Sequence, residues 1–184
     1  MNWHQVPLDS IAPTAWRNGG GTTRELLAWP HPGEWTVRIS VADVARSGPF
    51  SAYPGVSRWF AVLAGEGVML DIEGARHALR PDADPVQFDG AARVHCDLPS
   101  GATQDFNLML RGGAGKLERV RGRSERACRK GALVGAYSHE HEVSFFAVQV
   151  RIVVPPRTLA WSVMPADERI DLATQGALWF EVQP

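Results

Sequence analysis

Cysteine is scarce in this chain: Cys96 and Cys128 are the only two. Two thiols make neither a disulfide framework nor a zinc site, and they suit a reducing compartment. Charge of one sign is missing as well. The formal net charge of −1 gives no overall pull toward phosphate backbones or anionic lipid. No apolar run approaches the length of a membrane span. The opening MNWHQVPLDS has no basic segment followed by an apolar one, so it does not read as a signal peptide. A cytoplasmic protein is expected, with neither nucleic acid nor a membrane as partner.

What is present is material for a core. Hydrophobic residues make up 45% of the 184, with seven Trp and seven Phe, and that argues against disorder. The 18 Gly and 13 Pro punctuate short apolar segments throughout, a rhythm that predicts an all-β chain of short strands. Residues 35–42 alternate, with Trp35, Val37, Ile39 and Val41 on one face and Arg38 and Ser40 on the other. Residues 105–111 do the same, setting Asp105, Asn107, Met109 and Arg111 opposite Phe106, Leu108 and Leu110. The segments 58–63 and 68–72 flank Ala64-Gly65-Glu66-Gly67 and read as a hairpin. Further strands are expected over 144–154, 157–163 and 177–182.

Two β units are inferred, 1–112 and 132–184, joined by a basic segment at 113–131. From Arg111 to Gly131 there are eight Lys or Arg against Glu118 and Glu125. Without an aromatic residue for stacking, this run reads as a solvated linker and not as a nucleic-acid patch. Arg121, Arg123 and Arg126 are therefore expected to be exposed. A short helix over 117–128 is the most that the helical period allows.

Four constellations could carry chemistry. Residues 16–25, Trp-Arg-Asn-Gly-Gly-Gly-Thr-Thr-Arg-Glu, combine three glycines with many polar groups. They form neither a Walker loop nor a dinucleotide fingerprint, which leaves an anion- or amide-binding loop or a self-satisfied turn. Residues 48–58 hold Phe50 and Tyr53, which either wall a pocket or support a loop. The polar faces carrying Arg38 and Ser40, and Asp105, Asn107, Met109 and Arg111, could line a cavity mouth. Ser138-His139-Glu140-His141-Glu142 has metal-ligand spacing if it lies on a strand. The third imidazole is missing, so an exposed polar loop is favoured and neither metal nor cofactor is expected. There is no GxSxG and no activated cysteine setting.

These residues together carry a resemblance. WRNGGGTTRE at 16–25, VRIS at 37–40, GPFSAYPGVSR at 48–58, QFDG at 87–90 and DFNLMLRGG at 105–113 resemble the HutD/Ves family. The resemblance implies a bicupin, with two cupin-like double-stranded β-helix halves in one chain. It also implies a regulator in or beside histidine utilisation that binds an intermediate such as N-formylglutamate. No established enzymatic activity comes with it. The chain departs from the family pattern at Ala91, where an acidic residue is common, and at Gly101-Ala102, where Gly-Pro is expected.

The resulting expectation is a non-catalytic binding protein, with a metal-independent isomerase or hydrolase as the alternative. In that alternative Glu25, Asp89 and Asp105 are the candidate acid–base groups. The ligand is expected to be of carboxylate or formamide type, and a homodimer stays open. The ligand-binding residues are expected to be Arg17, Asn18, Thr22, Thr23, Arg24, Arg38, Ser40, Phe50, Asp105, Asn107, Met109 and Arg111.

Overall fold

The computed structural model describes residues 2–147 and 150–184. Its only helical piece among these is a single turn at Leu8–Ser10. No helix is long and apolar enough to cross a membrane, an observation that does not bear on β-barrels. The chain divides into two compact units, one of Ile11–Gly112 and one of Met1–Ser10 with Gly113–Pro184. Strand β1 (His4–Pro7) belongs to the second of these.

In the Ile11–Gly112 unit the strands are β2 (Thr14–Ala15), β3 (Gly21–Trp29), β4 (Val37–Val44), β5 (Gly48–Pro49), β6 (Ser57–Ala64), β7 (Val68–Ile72), β8 (Ala75–Leu79), β9 (Val86–Asp89), β10 (Val94–Asp97) and β11 (Thr103–Leu110). A six-stranded sheet runs β2-β3-β4-β11-β6-β9, and a four-stranded sheet runs β5-β10-β7-β8. Every pairing is antiparallel. Phe60, Val62 and Phe88 of the larger sheet pack with Val68, Leu70, Leu79, Val94 and Cys96 of the smaller.

The 58–63 and 68–72 segments are strands, but they do not form the expected hairpin. β6 pairs with β9 and β11, whereas β7 pairs with β8 and β10 in the other sheet. The turn between them crosses from sheet to sheet. Backbone crowding explains its glycines. A Cβ on Gly65 would stand 2.7 Å from the Ala102 carbonyl, and one on Gly67 2.4 Å from that of Leu79.

The other unit adds β12 (Ala114–Cys128), β13 (Leu133–Ser138), β14 (Val143–Ala147), β15 (Val150–Val154), β16 (Thr158–Val163) and β17 (Glu168–Gln183). Its sheet runs β1-β16-β13-β17-β14-β15, with β12 also on β17. Leu172, Ile170, Phe145, Val134 and Trp179 contribute to a buried core here.

Two expectations are corrected. Residues 113–131 are neither linker nor helix, because β12 pairs along its length with β17. A register shift between Val120 and Gly122 breaks its alternation. Ahead of that shift, Leu117 and Val120 lie on opposite faces of the strand and are both buried, at a spacing that imitates a helix. Arg121 and Arg123 are exposed, but Arg126 is half-buried and pairs with Glu118 at 2.7 Å. Residues 1–10 join the C-terminal unit, since β1 pairs with β16 and Arg157 holds Asp9 through two hydrogen bonds of 2.7 and 3.1 Å.

Candidate functional site

The larger sheet of the Ile11–Gly112 unit carries a cavity of about 560 Å³ on one face, a size that suits a small metabolite. Strand register explains which side chains enter it. In one row across the sheet stand Arg38, Met109, Arg58 and Phe88; in the next stand Glu25, Ser40, Asn107 and Phe60. All of these except Phe88 line the cavity, and Trp16, Arg17, Asn18 and Thr23 of the triglycine segment join them. Phe50, Ser51 and Tyr53 come from the loop before β6.

Arg58 dominates the electrostatics. Its residue is 5% exposed, and its guanidinium lies 5.5, 5.6 and 5.1 Å from the ring centres of Phe50, Tyr53 and Phe88. Nη2 donates to Asn107 Oδ1 at 3.0 Å and Nη1 to the Ser51 carbonyl at 3.3 Å. Among the described residues, Nε has no hydrogen-bond partner. No carboxylate among the described residues pairs with Arg58. Burial, with the nearby Arg38 charge adding to it, lowers the guanidinium's pKa to about 10. It is still a cation at neutral pH.

The quoted motifs build this arrangement. Gly90 of QFDG would place a Cβ 2.5 Å from the Tyr53 carbonyl and 2.7 Å from that of Val56. Only glycine lets the 53–56 loop sit that close, and that loop brings Tyr53 beside Arg58. Within the triglycine segment, a Cβ on Gly21 would stand 2.2 Å from the Asp43 carbonyl and 3.2 Å from the Trp16 ring. Trp16 Nε1 donates to Thr23 Oγ1 at 2.7 Å, and Asn18 Oδ1 accepts from the Gly20 amide at 2.9 Å.

The structure brings Arg17, Asn18, Thr23, Arg38, Ser40, Phe50, Asn107 and Met109 together at the cavity. It does not bring Thr22, Arg24, Asp105 or Arg111 there. Thr22 and Arg24 alternate with Thr23 and Glu25, so they project from the opposite face and hold Asp43 at 3.2 and 2.6 Å. Burial alone would raise the Asp43 pKa, but Gln104, Arg24 and Thr22 together bring it below its ordinary value. Arg111 lies beyond the end of β11 and covers the Trp35 ring at 4.5 Å. Asp105 keeps the face of Asn107, but it is fully buried, is not part of the cavity lining and accepts from Thr103 at 2.9 Å. Burial raises its pKa to about 7. Asp89 is exposed and caps the turn through the Ala91 amide at 2.8 Å.

Sequence reasoning missed Arg58 and left Glu25 and Tyr53 off the binding set. A single charged residue opening an otherwise apolar strand was the available signal for Arg58. Glu25 Oε2 takes Arg38 Nε at 2.6 Å. As for metals, no group of three or more His, Cys, Asp or Glu among the described residues could hold one. His139 and His141 follow β13 in a bend, not on a strand, so shared-face spacing does not apply to them.

Comparison with known proteins bears on the fold and the family. A 21.2 kDa protein in the hutC 3′ region of Pseudomonas putida is 38% identical over 98 residues, which is 51% of this chain and 50% of that protein. The chain spans about half the length of the curated relatives it matches. The structure of HutD from Pseudomonas fluorescens SBW25 superposes with a TM-score of 0.85 at 23% identity, covering 98% of each chain. A cupin 2 conserved barrel domain protein from Leptotrichia buccalis superposes at 0.57 with 10% identity, over 97% of this chain and 96% of that one. These two establish an all-β fold with cupin neighbours. The HutD family model matches residues 9–182, and the chain belongs to the HutD family.

Proposed function

We propose that the chain is a non-catalytic binding protein for a small carboxylated metabolite of histidine utilisation, held in the Ile11–Gly112 cavity. The observation that carries this reading is Arg58, a buried cation with no counter-ion among the described residues, opening onto a cavity. Burying an unpaired charge is costly, and a ligand carboxylate would offset that cost when bound. A guanidinium fork suits a carboxylate because it donates two parallel hydrogen bonds. Asn107 gives its oxygen to Arg58, which leaves its amide nitrogen to donate to a ligand carbonyl. N-formylglutamate, which has both carboxylates and a formamide, fits that donor set, and the P. putida relative's place beside hutC supports the pathway.

In this reading the two units are cupin-like halves of a bicupin in a cytoplasmic protein, with the pocket in Ile11–Gly112. Its partner is the small ligand, not nucleic acid or membrane. The lining includes neither His nor Cys, and its one carboxylate, Glu25, is held by Arg38. An enzyme of the isomerase or hydrolase type is the second reading, favoured by the half-exposed position of Glu25 in the cavity.

Titration calorimetry with N-formyl-L-glutamate tests the proposal. Wild type is expected to bind, and Arg58→Ala to lose about 2–5 kcal/mol. Equal affinity in both would refute the site. Turnover of the ligand by wild type would move the reading to the enzyme.

A further inference from the structure

Glu25 is out of place in a pocket that receives an anion. It is the only acidic residue among the described residues lining the cavity, where Arg17, Arg38 and Arg58 also stand. A second carboxylate repels a carboxylate ligand, so its presence calls for a compensating contact. Neutralising Arg38 is one part of its role, and that occupies only Oε2. Oε1 makes no hydrogen bond to the protein among the described residues, and the side chain is 38% exposed. Register fixes the surroundings of that oxygen. Glu25 lies opposite Ser40, which lies opposite Asn107, in the row next to Arg38, Met109 and Arg58. Neighbouring rows are about 6.5 Å apart along the strands, and the 2.6 Å contact from Arg38 to Glu25 shows that their side chains meet across that spacing.

The pocket therefore offers two kinds of contact side by side. One row presents guanidinium donors; the next presents a carboxylate acceptor, a hydroxyl and an amide. Resting on the carboxylate reading above, we infer that Glu25 Oε1 accepts a hydrogen bond from a ligand N–H adjacent to the bound carboxylate, and so selects nitrogen-bearing carboxylates over plain ones. The N–H belongs either to an amide, as in an N-acylamino acid, or to an ammonium group. Both satisfy the same oxygen.

Three probes with the same carbon skeleton separate these cases. Glutarate has the carboxylates and no N–H, L-glutamate adds an ammonium, and N-formyl-L-glutamate adds an amide. Calorimetry on wild type is expected to favour at least one nitrogen-bearing probe over glutarate by on the order of tenfold or more, since hydrogen bonds to charged groups are the strong ones. Which probe wins identifies the group. In Glu25→Ala, which removes both the acceptor and the charge, that preference is expected to collapse while glutarate binds more tightly. Glu25→Asp, which keeps the charge and shortens the reach, is expected to lose the preference without the gain for glutarate. This second variant carries the test if the first does not fold. A uniform tightening of all three probes in Glu25→Ala, or no preference in wild type, would overturn the role of Glu25 and leave the carboxylate site standing. No heat with any probe would remove the carboxylate reading and this one with it.

Discussion

Arg58 and Asn107, on adjacent strands β6 and β11, are joined by a 3.0 Å hydrogen bond from the guanidinium to the amide oxygen. Asn107 is the nearest thing Arg58 has to a counter-ion, and it is neutral. A charge kept buried on such terms favours binding over stability. Arg58→Met, an apolar side chain of similar length, is expected to raise the free energy of unfolding by about 1 kcal/mol or more while abolishing ligand binding. Urea denaturation beside calorimetry reads both. A variant that is less stable and still binds would show that Arg58 is a structural residue.

The triglycine segment makes a graded prediction. The carbonyl of Asp43 stands where a Gly21 Cβ would go, and backbone cannot yield as a side-chain tip can. Gly21→Ala should cost about 2 kcal/mol or more, as overpacking does, and disturb the Trp16 indole. Gly19 has open space but a φ of +66°, so Gly19→Ala should cost only about 1 kcal/mol. Thermal denaturation of the two variants gives the order; a reversed ranking would contradict the close approach of β3 to β4.

Both thiols should be inert in the folded protein. Burial, reinforced by Asp105 and Asp97, pushes Cys96 up to about 12; burial, reinforced by Glu181, does the same for Cys128. The thiolate is the reacting form, so a disulfide reagent at pH 8 should titrate neither group until denaturant is added. Rapid labelling of the native protein would show that one of them is open to solvent.

How far these features were legible in the sequence depended on how local their causes are. Period-two alternation placed Arg38 and Ser40 on one face, and Asn107 and Met109 on another, and register joined them. The same rule, applied to 22–25, separates Thr22 and Arg24 from Thr23 and Glu25, but only once the facing strand is known. Arg111 kept the parity and lost the strand, since β11 ends at Leu110. Arg58 was hidden because its importance comes from Phe50 and Tyr53 of the loop before β6 together with Phe88 of β9, further along the chain. Leu117 and Val120, buried on opposite faces of β12, imitated the spacing of a helix. Nothing near His4 announces its pairing with Trp161 across the length of the chain.

Asp105 supplies a pH dependence whose sign follows from its surroundings. Asp105 stands opposite Val62 of β6 and Ala42 of β4 in the sheet, with Thr103 donating to one oxygen and the other without a partner among the described residues. Burial, with the Asp43 charge adding to it and the Thr103 bond opposing, raises its pKa from an ordinary 3.8 to about 7. Between about pH 4 and pH 7 the folded chain therefore holds a proton that the unfolded chain has released. Stability from this group is complete below pH 4, falls as pH rises through that window, and levels off above 7. The slope for one fully retained proton is about 1.4 kcal/mol per pH unit. Asp105→Asn cannot ionise and still offers Thr103 an acceptor. It should remove this fall and unfold at higher urea than wild type at pH 8. Urea midpoints measured from pH 4 to pH 8 decide the matter: parallel curves for the two proteins would mean that Asp105 is not the group that titrates.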